Sequence, residues 1–217
     1  HLGPQLGVAD GIALGHKLSG DRKVTAVFTG EGATSEGDFH EALNIAAVWD
    51  LPVLFCIENN GYGLSTPTTQ QYRCAQLVDK AIGYGMEGIQ IDGNNILEVY
   101  EKVSELAASI RERPRPVLIE FITFRMRGHE EASGTKYVPK KLIDQWSKKD
   151  PVTQFEKHIR ETEILDQQGI EAIKSEISAR IEHDLTEVFG ESEVVFDPQV
   201  ELGDVYAPLN HQPELPG

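Results

Sequence analysis

Two short polar segments carry the residue types best suited to holding a charged ligand. Glu31 lies between two glycines directly after the apolar run 24–29, and Asn59 and Asn60 follow a second apolar run, 53–57. Carboxylate and amide oxygens are ligands that Mg²⁺ accepts, and glycines let a diphosphate approach the backbone. Because both segments follow runs typical of buried strands, their placement predicts one magnesium-diphosphate site built from two loops.

Common nucleotide-binding motifs fit these residues less well. Gly30, Gly32 and Gly37 do not form G-x-G-x-x-G, because position 35 is serine, and the sequence contains no G-x-x-x-x-G-K-[ST]. Each segment taken alone is also compatible with an ordinary tight turn. Their joint placement after neighbouring strands favours a binding site.

The elements that must position these segments alternate between strands and helices. Apolar runs predict strands at the following positions: 24–29, 53–57, 88–93 and 117–124. Helical spacing predicts helices between them, the first over 3–18, buried against another backbone, and the next capped by Thr34 or Ser35. We expect the strand at 24–29 to be covered on both faces. This alternation predicts an α/β fold, a doubly wound, mainly parallel sheet flanked by helices.

After residue 150 the pattern changes to helices alone. Helices are predicted over 152–162 and 167–189, the second with an isoleucine stripe, from Ile170 to Ile181, that we interpret as packing. We therefore predict an α/β domain, a helical extension and an acidic, proline-containing tail or linker, with these bounds: 1–150, 151–190 and 191–217.

The composition excludes several classes of partner. The 217 residues carry a formal net charge of −15 and only 2 cysteines. Nucleic acids and anionic membranes are poor partners for such a surface. Two cysteines give no disulfide framework, and no apolar run is long enough to cross a bilayer. We expect a soluble, intracellular protein, most simply cytoplasmic.

Several segments together resemble a known family, the alpha subunits of 2-oxo-acid dehydrogenases. The two loops match the thiamine diphosphate signature G-D/E-G followed by N-N, and 26 residues separate Gly32 from Asn59. The similarity continues through GEGATSEGD, ENNGYGLSTPTTQQY, IDGNN, RPVLIEFITFRMRGH and KDPV, over roughly residues 1–190. Glu31 and the STPTTQQY segment look more like branched-chain enzymes, whereas the sequence ENN at 58–60 occurs in pyruvate-type relatives.

The resemblance implies roles for individual residues. It makes Glu31, Asn60 and the carbonyl of Tyr62 the Mg²⁺ ligands. It implies that further residues line the thiamine diphosphate, namely Gly30, Gly32, Ala33, Glu36, Leu64 and, near the thiamine rings, Leu2. It also implies that Gln5 lies near a monovalent-cation loop.

The resemblance further implies that His129 is the active-site histidine, which assists acyl transfer. An imidazole titrates near neutral pH, so this chemistry is available to it. Glu130 follows it, where mammalian relatives have a phosphorylatable serine, so we expect no kinase switch at that residue. Glu130 is also compatible with an ordinary solvated charge.

The function implied is the thiamine diphosphate-dependent oxidative decarboxylation of a branched-chain 2-oxo acid, with acyl transfer to lipoamide. Pyruvate or acetoin dehydrogenase alpha subunits remain alternatives, as does a catalytically silent assembly module. The implied partners are a beta subunit or fused beta domain and a lipoyl acyltransferase component, within a hetero- or homo-oligomer. Family members carry a segment before HLGPQLG, so we expect this chain alone to be an inactive fragment.

Overall fold

The computed structural model describes residues 2–130, 132–192 and 195–205, and these fall into two compact units divided after residue 164. In the first unit the strands are β1 (Thr25–Gly30), β2 (Val53–Asn59), β3 (Tyr62–Gly63), β4 (Thr66–Pro67), β5 (Glu87–Asp92) and β6 (Val117–Ile122). Its helices are α1 (Pro4–Ser19), α2 (Gly37–Val48), α3 (Lys80–Gly83), α4 (Ile96–Glu112), α5 (Lys140–Trp146) and α6 (Pro151–Glu161). The second unit contains α7 (Gln167–Gly190) and α8 (Pro198–Gly203).

A parallel sheet forms the centre of the first unit. Its strand order is β1-β2-β6-β5, and every neighbouring pair is parallel. Parallel neighbours need crossover connections, which α2 supplies between β1 and β2 and α4 between β5 and β6. β3 and β4 form a separate antiparallel hairpin. The predicted fold class, a mainly parallel sheet flanked by helices, is confirmed.

Helices cover the two faces of this sheet. On one face Leu6 of α1 and Leu43 of α2 share a buried cluster with Phe55 of β2. On the other face Leu106 of α4 packs in a second cluster with Leu54. Successive strand residues point to opposite faces, so β2 contributes to both clusters and lies at the centre of the core.

The strand β1 is buried on one face only. Val27 is 7% exposed, whereas Phe28 is 57% exposed. The prediction of cover on both faces is wrong here, because the cluster beneath α4 takes its buried strand residues from β2, β5 and β6. The prediction holds for β2, where residues 53–57 are all buried.

Helix α1 is also only half buried. Its buried residues lie on one face, while Val8 is 62% exposed and Ile12 49% exposed. A Cβ atom added at Gly7, Gly11 or Gly15 would meet no described atom within 4 Å. The close backbone contact predicted for these glycines is therefore not made by the described residues.

The segment after β1 differs from its prediction in a way that shapes the site. A 3₁₀ turn, Glu31–Ser35, comes first, and α2 begins only at Gly37. The hydroxyl of Thr34 donates to the carbonyl of Glu31 at 2.8 Å rather than capping α2. The prediction that Thr34 or Ser35 caps this helix is wrong, because both residues lie within the 3₁₀ turn and Glu36 occupies the N-cap position.

The second unit is helical, and α7 matches its predicted span. Ile170 is 6% exposed, but Ile173, Ile177 and Ile181 are 46%, 54% and 51% exposed. Most of the isoleucine stripe is thus uncovered within the described chain. The predicted tail includes α8, and residues 206–217 lie outside the described residues. Among the described residues, no helix is long and apolar enough to span a membrane.

Candidate metal-diphosphate site

The two predicted loops meet at the carboxyl edge of the sheet. Gly30 at the end of β1 pairs in register with Glu58 of β2, so the residues that follow them are neighbours. The backbone N–H of Asn60 donates to Glu31 Oε2 at 3.0 Å. Glu31 is 1% exposed, and among the described residues it forms no salt bridge. A buried carboxylate that accepts a backbone hydrogen bond and has no basic partner among the described residues fits the oxygen ligand set of Mg²⁺.

The loop after β2 is held by its own asparagines. Asn59 Oδ1 accepts a hydrogen bond from the Gly61 N–H at 3.1 Å, and Asn60 Oδ1 accepts one from the Tyr62 N–H at 3.2 Å. These are successive Asx turns, and Gly61 between them adopts a positive φ, 86°, which glycine does at no steric cost. The amide oxygen of Asn60 is thereby oriented and retains a second lone pair for another partner.

The carbonyl of Tyr62 also remains available. Tyr62 pairs in register with Pro67 of β4, which has no N–H to donate. The neighbouring pair, Gly63 with Thr66, and the hydrogen bond from the Thr68 N–H to the Gly61 carbonyl at 3.1 Å hold the hairpin instead. The three predicted metal ligands are thus an acid, an amide and a backbone carbonyl from two adjoining loops.

Glycines allow these loops to touch. A Cβ atom at Gly32 would lie 3.2 Å from the Cα atom of Gly63, and one at Gly63 would lie 2.7 Å from Gln71 Nε2. A Cβ atom at Gly30 would meet no described atom within 4 Å, so the surface beside Gly30 is open in the described part of the chain. Close packing at Gly32 and open space at Gly30 are compatible with a diphosphate lying against this backbone.

Lys80 anchors the 3₁₀ turn from the other side. Its ammonium group donates to the carbonyl and the hydroxyl of Thr34 at 2.9 and 3.0 Å, and lies over the rings of Phe39 and Tyr72. Burial lowers the pKa of this lysine. The sequence reasoning missed Lys80, since only the tertiary fold brings α3 to the turn after β1.

Arg125 brings the predicted histidine to the same region. Its guanidinium donates to the Leu64 carbonyl at 2.5 Å and to the Tyr137 hydroxyl at 3.0 Å, and its Nη1 lies 3.4 Å from His129 Nδ1. The rings of Tyr62 and Tyr137 are in edge contact, with centroids 5.7 Å apart. The loop that carries His129 is therefore tied to the loop that carries Tyr62, and His129 itself is exposed.

Leu64 has an unusual backbone. Its φ of 56° lies in the left-handed region, which leucine rarely adopts, and its side chain is 60% exposed. Such strain persists where surrounding contacts enforce it, here the hydrogen bond from Arg125, and it clusters at ligand sites. The predicted contact of Leu64 with a cofactor remains a prediction.

Other predicted residues are less closely connected. Leu2 is 68% exposed, and Gln5 Oε1 accepts a hydrogen bond from the Gly3 N–H at 3.0 Å. Glu36 is exposed at the start of α2, where its side chain forms no capping bond. Ala33 is 5% exposed within the 3₁₀ turn. Their roles toward a cofactor stay predictions.

The parallel sheet with helices on both faces places the chain in the doubly wound α/β class, in which ligands usually bind at the carboxyl edge where these two loops meet. The family model described as dehydrogenase E1 component matches residues 1–194. The chain belongs to this family, as its resemblance to 2-oxo-acid dehydrogenase alpha subunits predicted.

Several curated relatives are named as alpha subunits of dehydrogenases or of an oxidoreductase. The 3-methyl-2-oxobutanoate dehydrogenase subunit alpha of Mycobacterium tuberculosis is 35% identical over 94% of this chain and 54% of its own length. The 2-oxoisovalerate dehydrogenase subunit alpha of Bacillus subtilis is 36% identical over 92% of this chain and 60% of its length. An acetoin oxidoreductase subunit alpha of Bacillus subtilis is 38% identical over 81% of this chain and 52% of its length. The chain spans only about half the length of these relatives.

A solved structure was also matched, described as a putative thiamin diphosphate-dependent enzyme from Mycobacterium smegmatis. It covers 58% of this chain and 22% of its own, with 20% identity and a TM-score of 0.42. The family assignment therefore depends on the sequence comparisons.

Proposed function

We propose that this chain is the metal-diphosphate-binding part of a thiamine diphosphate-dependent 2-oxo-acid dehydrogenase of the branched-chain type. The observation that carries the proposal is the buried carboxylate of Glu31 held against the backbone of Asn60 at the carboxyl edge of the sheet. Family membership and the names of the relatives support it.

In this proposal Glu31, Asn60 and the carbonyl of Tyr62 hold Mg²⁺. One carboxylate leaves the ion with positive charge to neutralise a diphosphate, whose oxygens and water complete the octahedral shell. The asparagine turns fix the ligand atoms before the ion arrives, so little ordering is needed on binding.

The cofactor would lie along the glycine side of the site. Gly30 and Gly32 let it approach the backbone, the N–H groups of Gly32 and Ala33 face its diphosphate, and Glu36 borders that end. Leu64, and more distantly Leu2, would support its rings. When bound, thiamine diphosphate supplies an electron sink for decarboxylation of a 2-oxo acid, which no side chain of this protein can supply.

His129 would hold or transfer a proton at the open end of the site. Nδ1 lies 3.4 Å from the guanidinium of Arg125, which favours Nδ1 as the acceptor and leaves Nε2 to carry the proton. Arg125 also restrains the loop, because it donates to Leu64 and Tyr137 as well.

The reaction would also need partners. A beta subunit or fused beta domain would complete the site around the reacting end of the cofactor. A lipoyl group on an acyltransferase component would take the acyl unit. The open faces of β1, at Phe28, and of α1, at Val8 and Ile12, are compatible with burial against other polypeptide.

Substrate preference can be tested on the full-length protein assembled with its beta component. We expect turnover of 3-methyl-2-oxobutanoate to exceed that of pyruvate, with kcat/KM as the measure. The pyruvate-type alternative is supported by similarity to the pyruvate dehydrogenase E1 component subunit alpha of Rickettsia bellii, which is 31% identical over 81% of this chain. Preference for pyruvate or acetoin would overturn the branched-chain assignment while leaving the family intact.

The role of His129 gives a second test on the same assembly. We expect His129→Ala to lower kcat by roughly 10²- to 10⁴-fold, the usual cost of losing a proton-transfer group, with little change in affinity for the cofactor. Glu130→Gln is the matched control, since Glu130 is an exposed neighbour, and it should leave kcat unchanged. Equal activities of the two variants would contradict the role of His129.

A further inference from the structure

Glu120 is a buried acid in the middle of an apolar strand. It is 1% exposed within β6, where its neighbours Ile119 and Phe121 are also buried. Burying a carboxyl group is unfavourable unless its oxygens accept hydrogen bonds. Glu120 accepts three, and all three donors are uncharged.

These donors come from three different elements. Asn59 Nδ2 donates to Glu120 Oε1 at 2.7 Å. The backbone N–H of Val78 and the side chain of Gln90 both donate to Glu120 Oε2 at 3.0 Å. The Glu120 carboxylate therefore links three elements: the end of β2, the strand β5 and the 3₁₀ turn Leu77–Asp79.

The contact with Asn59 fixes the orientation of that amide. An amide carries its donor and its acceptor on opposite branches, so holding Nδ2 against a carboxylate turns Oδ1 the other way. In this structure Oδ1 points to the Gly61 N–H and accepts from it at 3.1 Å. The turn that precedes Tyr62 therefore depends on which way the Asn59 amide faces.

We propose that Glu120 is a positioning residue that orients Asn59 and, through it, the Asn60–Tyr62 loop that offers the metal ligands. This inference rests on the proposed function for the identity of the ligand. Groups that orient metal ligands without touching the ion usually change metal affinity by about 10- to 100-fold when they are altered.

The substitution Glu120→Gln should break this arrangement selectively. The backbone N–H of Val78 cannot turn, so the amide oxygen of the new side chain must face Val78 and Gln90. Its NH₂ group then faces Asn59, which has to flip to present an oxygen. After the flip, the NH₂ group of Asn59 faces the Gly61 N–H, and the turn loses its hydrogen bond.

An exchange of the two side-chain types should restore the arrangement. Asn59→Asp alone places two carboxylates against each other and should also weaken the loop. In the double variant Asn59→Asp/Glu120→Gln, the glutamine NH₂ donates to one aspartate oxygen, and the other oxygen accepts from Gly61. The donor and acceptor positions are reversed, and each hydrogen bond is regained.

The test uses the full-length protein assembled with its beta component, in two measurements. Calorimetric titration with thiamine diphosphate and Mg²⁺ should show about 10- to 100-fold weaker binding for each single variant. The double variant should recover most of that loss. Without ligand, hydrogen–deuterium exchange of the 58–64 segment should accelerate in both single variants and return in the double variant.

Gln90→Ala is the matched control, because it removes a donor to the same carboxylate but leaves Asn59 in contact with Glu120. It should leave affinity and exchange in 58–64 unchanged. Unchanged exchange in both single variants, or a double variant as weak as they are, would overturn the inference. If the unaltered protein bound no cofactor while the exchange pattern held, the proposed function would fail instead.

Discussion

Two buried acids in this protein have opposite surroundings. Glu31 accepts a backbone hydrogen bond from Asn60, whereas both carboxylate oxygens of Asp10 lack a hydrogen-bond partner among the described residues. Asp10 is 5% exposed on the buried face of α1, and burial raises its pKa to about 7. A buried polar group without a hydrogen-bond partner destabilises the fold. Asp10 therefore lowers the stability of the folded state, whereas the hydrogen bond from Asn60 offsets part of the cost of burying Glu31.

The pKa of Asp10 predicts a specific dependence of stability on pH. Because the folded-state pKa is raised from 3.8 to about 7, the folded state holds the proton more tightly than the unfolded state. The bound proton therefore favours the folded state. This stabilising contribution of the proton is fully present below pH 3.8 and is lost as the pH rises to about 7. We expect Asp10→Ala to be about 1 to 3 kcal/mol more stable than the unaltered protein at pH 8. Urea unfolding at pH 5.5 and 8 measures this.

The control for this experiment is Glu41→Ala, which removes an exposed helical acid from α2. It should leave the difference between the two pH values as it is in the unaltered protein. Asp10→Ala should reduce that difference. An Asp10→Ala protein with the same pH dependence as the control would show that Asp10 has a partner or solvent access in solution.

At the residue scale, the sequence predicts the parts of the site that lie beside glycines at the ends of strands. Glu31 and Asn60 are recognisable because acid, amide and glycine follow apolar runs, whereas the role of the Tyr62 carbonyl is implied by the family resemblance alone. Glu120, Lys80 and Arg125 were not predicted, because tertiary packing alone brings them to the loops. The one available signal was the acid within the apolar run of β6, since an unpaired acid is unexpected in a buried strand.

At the element scale, the packing of the 3₁₀ turn Leu77–Asp79 against β5 contributes to the site as the loops do, because it brings a hydrogen-bond donor to Glu120. A Cβ atom at Gly88 of β5 would lie 2.6 Å from Val78 Cγ2 and 3.0 Å from the Val78 carbonyl oxygen. Val78 also donates to Glu120. The absence of a side chain at Gly88 therefore lets the turn approach the sheet closely enough to reach that carboxylate.

Adding one methyl group at this contact should separate the turn from the sheet. We expect Gly88→Ala to destabilise the protein by about 1 to 3 kcal/mol, since the backbone of Val78 cannot move aside without losing its hydrogen bond. Thermal unfolding measures the change. Gly83→Ala in α3 is the control, because a Cβ atom there would meet none of the described atoms within 4 Å. It should be neutral or stabilising by up to about 1 kcal/mol, and equal effects of the two substitutions would contradict the close-packing argument.

Sequence periodicity predicts the long elements and misses some of the short ones. The strands β1, β2, β5 and β6 and the helices α1, α6 and α7 lie close to their predicted positions. The hairpin of β3 and β4 has two residues per strand, too few for an alternating pattern. Helix α5 was also missed, since its 7 residues, KKLIDQW, make only about two helical turns, too short for a clear periodic pattern. The late start of α2 follows from tertiary contacts of Thr34 with Lys80.

At the scale of the whole molecule, the sheet and helices leave apolar surface open. Phe28 of β1, Val8 of α1 and Ile177 of α7 are each about half or more exposed. The chain spans about half the length of its curated relatives, and its net charge is −15. The proposed beta component offers these surfaces a partner, and the proposed site is therefore best tested in the assembled protein.

The most direct test of the proposed site is calorimetric titration of the full-length, assembled protein with thiamine diphosphate and Mg²⁺. Glu31→Gln retains an oxygen for the Asn60 N–H but removes the charge offered to the metal. We predict binding by the unaltered protein and at least about 10-fold weaker binding by Glu31→Gln. Glu58→Gln, an exposed acid at the end of β2, should bind normally. A Glu31→Gln protein that binds as tightly as the unaltered one, or an unaltered protein that does not bind, would contradict the account.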